Sequence, residues 1–177
     1  MFGPTVEGLF VRGLRGQLDA ELKAQLRELG LDVEKPMLPA YPQTVVAGAI
    51  ELIGKKLYPA EDENGRWYRI GKHVVLGVRD MPIGGAVLAF ARLVGPRRAL
   101  NRMPHTFRTT SNYLDCVVRE RGDKRYELDA LGTPAPPGYM QAVVEDILTV
   151  AGAKGLEVKL IRHAPEERLA TYAIRWD

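Results

Sequence analysis

One change of rhythm constrains this chain more than any other feature. From about residue 18 to 104 the apolar residues recur every three or four positions, the spacing of one helix face. From about 112 onward they mostly alternate with polar ones, the spacing of strands buried on one side. Helices first and strands last is the order of an α+β protein. The expected architecture is a set of amino-terminal helices packed on one face of a four- to five-stranded antiparallel sheet. The length, 177 residues, suits a single domain over 1–177, with 1–104 mainly helical and 112–177 sheet-forming with one helix.

Element by element, 6–12 reads as a short strand weakened by Gly8. Leu18, Leu22, Leu26 and Leu29 then mark an amphipathic helix, with Gly30 at the position after its end. Pro36, Pro39 and Pro42 make an extended connector. Residues 44–57 form a helix with Val46, Ile50, Ile53 and Leu57 on one face. Residues 62–78 form another, with Trp67, Ile70, Gly71, Val74 and Val78 inward. Pro82 opens a further helix with Ile83, Val87, Phe90 and Val94 on its face. Gly95-Pro96 ends it, and a short helix runs to about Met103. Leu114, Cys116 and Val118, a turn at Gly122-Asp123, and Tyr126, Leu128 and Ala130 spell a β-hairpin. A Pro/Gly loop at 132–138 leads to a helix carrying Met140, Val143, Ile147 and Ala151. Two strands follow, 156–161 and 171–176, joined by a turn around Pro165.

Composition narrows the function classes. A hydrophobic fraction of 46% and a charged fraction of 27% belong to a folded domain. The net charge of +3, from 25 basic and 22 acidic residues, is a small excess, and it argues against nucleic acid as a partner. A lone cysteine, Cys116, permits no intrachain disulfide. The start Met1-Phe2-Gly3-Pro4-Thr5 lacks the regions of a signal peptide, and no run approaches a membrane span, so a cytoplasmic location is expected.

Catalytic patterns do not emerge, and the expectation is that the chain is not an enzyme. His73, His105 and His163 have no metal-binding spacing, and Ser111 is the only serine and stands outside any nucleophile motif. Cys116 shares a strand face with Leu114 and Val118, the setting of a buried, inert thiol. No phosphate-binding glycine loop is present; Gly84-Gly85 fits close helix packing as well as ligand approach. The most distinctive chemistry is the segment 95–112, with Arg97, Arg98, Arg102, His105 and Arg108 and no acidic residue. Arginine forks bind phosphate or carboxylate, which makes these five residues a candidate anion site. The competing reading is a solvated basic face whose arginines pair with Glu120, Asp115 or Asp129.

Four stretches carry a resemblance: Val-Glu-Gly-Leu-Phe-Val-Arg-Gly-Leu (6–14), Leu-Pro-Ala-Tyr-Pro (38–42), Leu-Val-Gly-Pro-Arg-Arg-Ala-Leu (93–100) and Phe-Arg-Thr-Thr-Ser-Asn-Tyr (107–113). In this order they resemble a domain family of unknown function that is expanded as paralogues in myxobacteria. The second half also resembles, more distantly, the ligand-sensor superfamily of haem–nitric-oxide domains, 4-vinyl-reductase domains and TRAPP subunits, through its hairpin, its Gly138-Tyr139 helix and its two closing strands. The resemblance implies helices on one side of an antiparallel sheet, and binding of haem or a hydrophobic molecule or service as a dimeric scaffold. Haem is argued against: the Tyr-x-Ser-x-Arg motif of haem–nitric-oxide domains meets only Tyr126-Glu127-Leu128-Asp129-Ala130 here, and His105 follows Pro104. No cofactor is expected.

Two functions follow as expectations. The first is a non-enzymatic ligand-binding or signalling domain for a small hydrophobic or anionic molecule, with Trp67, Ile70, Val74, Val87 and Phe90 as candidate pocket lining; the competing reading is that these residues simply fill the core, as close-packed interiors normally do. The alternative is a homodimeric interaction scaffold without a small-molecule ligand, presenting Val45, Leu52, Val75 and Leu88, or a surface for an acidic protein partner.

Overall fold

Val6, Leu9, Phe10 and Leu14 lie three, one and four positions apart, and all four are buried on one side of a helix. The strand expected at 6–12 is therefore corrected: helix α1 (Gly3–Val6) continues into a π-helical stretch, Glu7–Gly13, where Leu14 N–H donates to the Leu9 carbonyl at 3.0 Å. The cause is a tight crossing with a later helix. A Cβ on Gly77 would collide with the carbonyl oxygen of Gly8, and one on Gly13 with that of His73. Glycine at these crossing points lets two backbones touch. The structure, a computed structural model, describes residues 1–132 and 135–177, with Pro82 and Ile83 described through their backbone alone. The Ile83 expected on an inner face and the 133–134 part of the Pro/Gly loop lie outside the described residues.

Helix α2 (Ala20–Glu28) is capped by the Asp19 carboxylate, which accepts from Leu22 N–H at 2.8 Å, and Gly30 takes a φ of 91° just past its end. Helices α3 (Gln43–Leu57) and α4 (Glu63–Arg79) match the expected spans. Helix α5 (Pro82–Arg108) bends at Gly95, φ 79°, and then runs past Met103, where it was expected to stop. Leu100, Met103 and Phe107 form a buried stripe across Pro104, and their packing holds the turn whose hydrogen bond the proline cannot donate. Before the bend the buried face is Leu88 and Ala91, while Val87 and Phe90 are nearly half exposed. The outward apolar surface is also corrected: Val75 and Leu88 are buried, and Leu76, Val87, Phe90 and Leu93 stand out instead.

Strands β1 (Asp115–Gly122) and β2 (Arg125–Leu131) form the hairpin, helix α6 (Gly138–Val150) crosses over, and β3 (Glu157–Ala164) and β4 (Leu169–Arg175) close the chain. The four strands are ordered β1-β2-β4-β3 and every pairing is antiparallel. Helices cover one face only. The other carries ion pairs: Arg119 to Asp129 at 2.6 Å, Arg121 to Glu127 at 2.7 Å, and Arg175 to Glu157. One buried cluster draws on both halves, from Val6 to Trp176. Among the described residues no single helix is long and apolar enough to cross a membrane.

Candidate functional site

Cross-strand partners point to the same side of an antiparallel sheet. The register therefore sorts the helix-facing residues into rows. One row is bulky: Val118, Leu128, Tyr172 and Leu160. The next is small: Cys116, Ala130 and Ala170, ending at His163. A bulge between Leu160 and Arg162 makes Ile161 an extra residue, and this shift sets His163 opposite Ala170 on the inner face. Two alanines side by side leave the helices without a floor to rest on.

Above that gap lies a chamber of about 360 Å³. Val46 and Ile50 of α3, Trp67 of α4, and Tyr139 and Met140 of α6 roof it, with Pro136 and Pro137 as an end wall. Tyr172 donates its hydroxyl to the Pro137 carbonyl at 2.7 Å, and Asn64 Oδ1 accepts from Gly138 N–H at 2.7 Å, so wall and helix start are pinned. Trp67 donates to Glu51 at 3.1 Å and meets Tyr139 edge to face at 6.0 Å. The Tyr113 and Tyr139 phenols also line the chamber, and neither has a hydrogen-bond partner among the described residues. Burial pushes both phenols above their ordinary range. Exposed His163 and Arg168 stand at the mouth.

A second chamber of about 140 Å³ lies between α4, α5 and α6 and shares Met1, Leu114, Tyr139 and Met140 with the first. Of the pocket residues expected from sequence, Trp67 lines the larger chamber, and Val74, Val87 and Phe90 line the smaller. Ile70 is fully buried and lines neither. Sequence reasoning missed Ala130, Ala170, Tyr139, His163 and Arg168; the available signal was alanine at two inward positions of adjacent strands.

The arginine segment is dispersed. Arg97 binds Glu120 through both carboxylate oxygens at 2.9 and 3.1 Å, and Arg108 binds Asp115 at 2.9 and 3.2 Å. Those acids sit five residues apart on β1, roughly 17 Å at the usual strand rise. Arg102 lies over the Phe90 ring, 5.0 Å from its centre, and Arg98 and His105 are exposed. The Arg108 guanidinium holds the Asp115 carboxyl below its ordinary value.

His73 is a satisfied internal histidine. Its Nδ1 donates to the Gly13 carbonyl at 3.0 Å and its Nε2 accepts from the Tyr58 hydroxyl at 2.8 Å, so it ties the π-helical stretch to α4. Cys116 is buried, and burial pushes its thiol up to about 12. Among the described residues no group of three His, Cys, Asp or Glu side chains could hold a metal ion.

Comparison with solved structures places this architecture. The Fe(II) unliganded H-NOX protein from K. algicida superposes with a TM-score of 0.73 at 11% identity, covering 100% of this chain and 97% of that one. An oxygen-binding H-NOX domain related to soluble guanylate cyclases, in its oxygen complex, gives 0.71 at 11%, covering 100% and 95%. A protein solved in a study of haem redox potential and porphyrin distortion gives 0.75 at 13%, also covering 100% and 95%. The fold is thus that of H-NOX domains. No curated protein matches the chain at a significant level. The model of a protein family of unknown function, DUF2378, matches residues 1–177. With its whole length inside that match, the chain belongs to the DUF2378 family.

Proposed function

We propose that the chain is a non-enzymatic, cytoplasmic ligand-binding domain of the sensory or regulatory kind, which takes a small, mostly apolar molecule into the chamber between helices and sheet. The observation that carries this reading is the 360 Å³ space floored by Ala130 and Ala170. Close-packed interiors leave few voids larger than a water molecule, whereas small-molecule sites run to ~300–1,000 Å³. An apolar wall with a few unpartnered polar groups, here the Tyr113 and Tyr139 hydroxyls, is the usual composition of such a site.

Haem does not fit these residues. Among the described residues the smaller chamber, beside α5, has no histidine or cysteine in its wall, the larger chamber's histidine, His163, stands exposed at its mouth, and His105 on α5 is exposed. Tyr139 reaches both chambers, but burial raises its phenol, the reverse of what a tyrosinate ligand needs. In the segment matched to the propionate-binding motif, Tyr126 stacks on Trp176 at 5.1 Å, and the inward positions after it are Leu128 and Ala130.

The test is titration of the purified chain with the uncharged fluorophore N-phenyl-1-naphthylamine. Saturable binding of one molecule per chain, with its fluorescence raised by the apolar surroundings, is expected. An absence of saturable binding at tens of micromolar refutes the reading.

A second reading, a homodimeric scaffold, is favoured by one observation: Leu76, Val87, Phe90 and Leu93 are exposed, Leu93 at 84%. Val87, Phe90 and Leu93 recur three positions apart on one face of α5, and a large exposed apolar patch marks an interface. Sedimentation equilibrium giving a monomer at tens of micromolar removes it.

A further inference from the structure

The mouth of the larger chamber has a sign of charge. Arg168 lines the chamber from the residue just before β4, in a left-handed turn at φ 51° that follows the 3-10 turn Pro165–Glu167. His163 stands opposite Ala170 on β3. Among the described residues no Asp or Glu lines this chamber, and neither the Arg168 guanidinium nor the His163 ring has a partner. Of the two neighbouring acids, Glu167 is occupied by Arg162, which binds both its oxygens at 2.8 Å, and Glu166 is exposed on the 3-10 turn and does not line the chamber. Behind the mouth the wall is mostly apolar, with Gln43, Thr44, Tyr113 and Tyr139 among its polar members, and it reaches Met140 and Tyr139, which also line the second chamber.

From this arrangement we infer that the ligand is an aliphatic monocarboxylate, its chain in the apolar chamber and its carboxylate at Arg168 and His163. This rests on the ligand-binding reading above and adds the chemical class. A planar guanidinium receives a carboxylate through two parallel hydrogen bonds, stronger than neutral ones. The alkyl chain gains from leaving water along the apolar wall.

The experiment compares laurate with lauryl alcohol, which has the same chain and no charge, by displacement of N-phenyl-1-naphthylamine from the full chain stripped of carried lipid. Laurate is expected to bind about tenfold more tightly than the alcohol, the ordinary worth of a hydrogen bond to a charged group. Arg168→Gln, an exposed substitution that keeps an unbranched side chain at this turn, should bring laurate to the alcohol's affinity. His163→Gln should do so in part, and Arg162→Gln, on the outer side of the sheet, should leave both affinities unchanged. Equal binding of acid and alcohol, indifference to Arg168→Gln, or an equal loss in Arg162→Gln overturns the carboxylate inference and leaves the apolar-ligand reading standing. Failure of either compound to displace the fluorophore overturns the inference as well, whereas failure of the fluorophore itself to bind brings down the ligand-binding reading with it.

Discussion

Filling the chamber from its floor separates a binding site from a packing defect. Ala170→Leu adds three carbon atoms on the inner face of β4, beside Ala130 and below Ile50. Burying them contributes about 2.4 kcal/mol at roughly 0.8 kcal/mol per carbon. Freezing the leucine rotamer removes about 0.5–1 kcal/mol, leaving a gain of about 1.5 kcal/mol. For a chain of 177 residues, at roughly 2–4 °C per kcal/mol, the melting temperature should rise by about 3–6 °C. The same substitution should abolish binding of N-phenyl-1-naphthylamine, since the leucine occupies its place. Thermal melts followed by circular dichroism, paired with the fluorescence titration, read both effects. A fall in melting temperature of several degrees would mean that the neighbours already touch Ala170, and the chamber argument would then be wrong. A rise with binding intact would move the ligand site elsewhere.

Three further outcomes test other parts of the structure. Gly77→Ala forces a Cβ against the Gly8 backbone and should destabilise the chain by about 3 kcal/mol, the upper end of overpacking, because backbone cannot yield as a side chain does; a urea midpoint within error of wild type would refute the tight crossing. His73 has its folded pKa lowered by burial, so its stabilising contribution is complete above the unfolded value near ~6.5 and is lost as pH falls through the lower folded value. Stability from urea melts should therefore drop between about pH 7 and 5 in the wild type and less in His73→Gln; parallel curves would contradict the assignment. Cys116, with its thiol pushed up to about 12, should resist iodoacetamide at neutral pH in the native chain and react fully in guanidinium, as read by intact mass; native-state labelling at the rate of a free thiol would show that the strand face is open.

The layering of this fold was legible because period is a local property. The switch from 3.6 to 2 between Met103 and Leu114 separates helices from sheet, and Gly30 and the turn at Gly122 to Lys124 mark the ends of elements. The first helix was misread because Val6, Leu9, Phe10 and Val11 satisfy alternation about as well as a helical stripe, and what decides between them is Gly77, about seventy residues away. Two arginine partners, Glu120 and Asp115, were also within reach of sequence, since opposite charges on adjacent elements tend to meet. The chamber was not. Ala130 and Ala170 are unremarked members of two alternating strands until register sets them side by side, and His163 reaches the inner face only because Ile161 bulges. Empty space belongs to the pairing of segments, not to any one of them.

The helix-free side of the sheet has a bearing on how copies of this chain can meet. Arg119, Arg121, Asp129, Glu127, Glu157 and Arg175 cover it as a chequerboard of opposite signs, each satisfied within its own molecule. A second sheet laid flat on that board would have to dehydrate every square, and the charges left over on it, Lys159 and Arg125, are both positive and would repel their copies. Stacking of sheets back to back is closed off, and any self-association is steered round to the helical side.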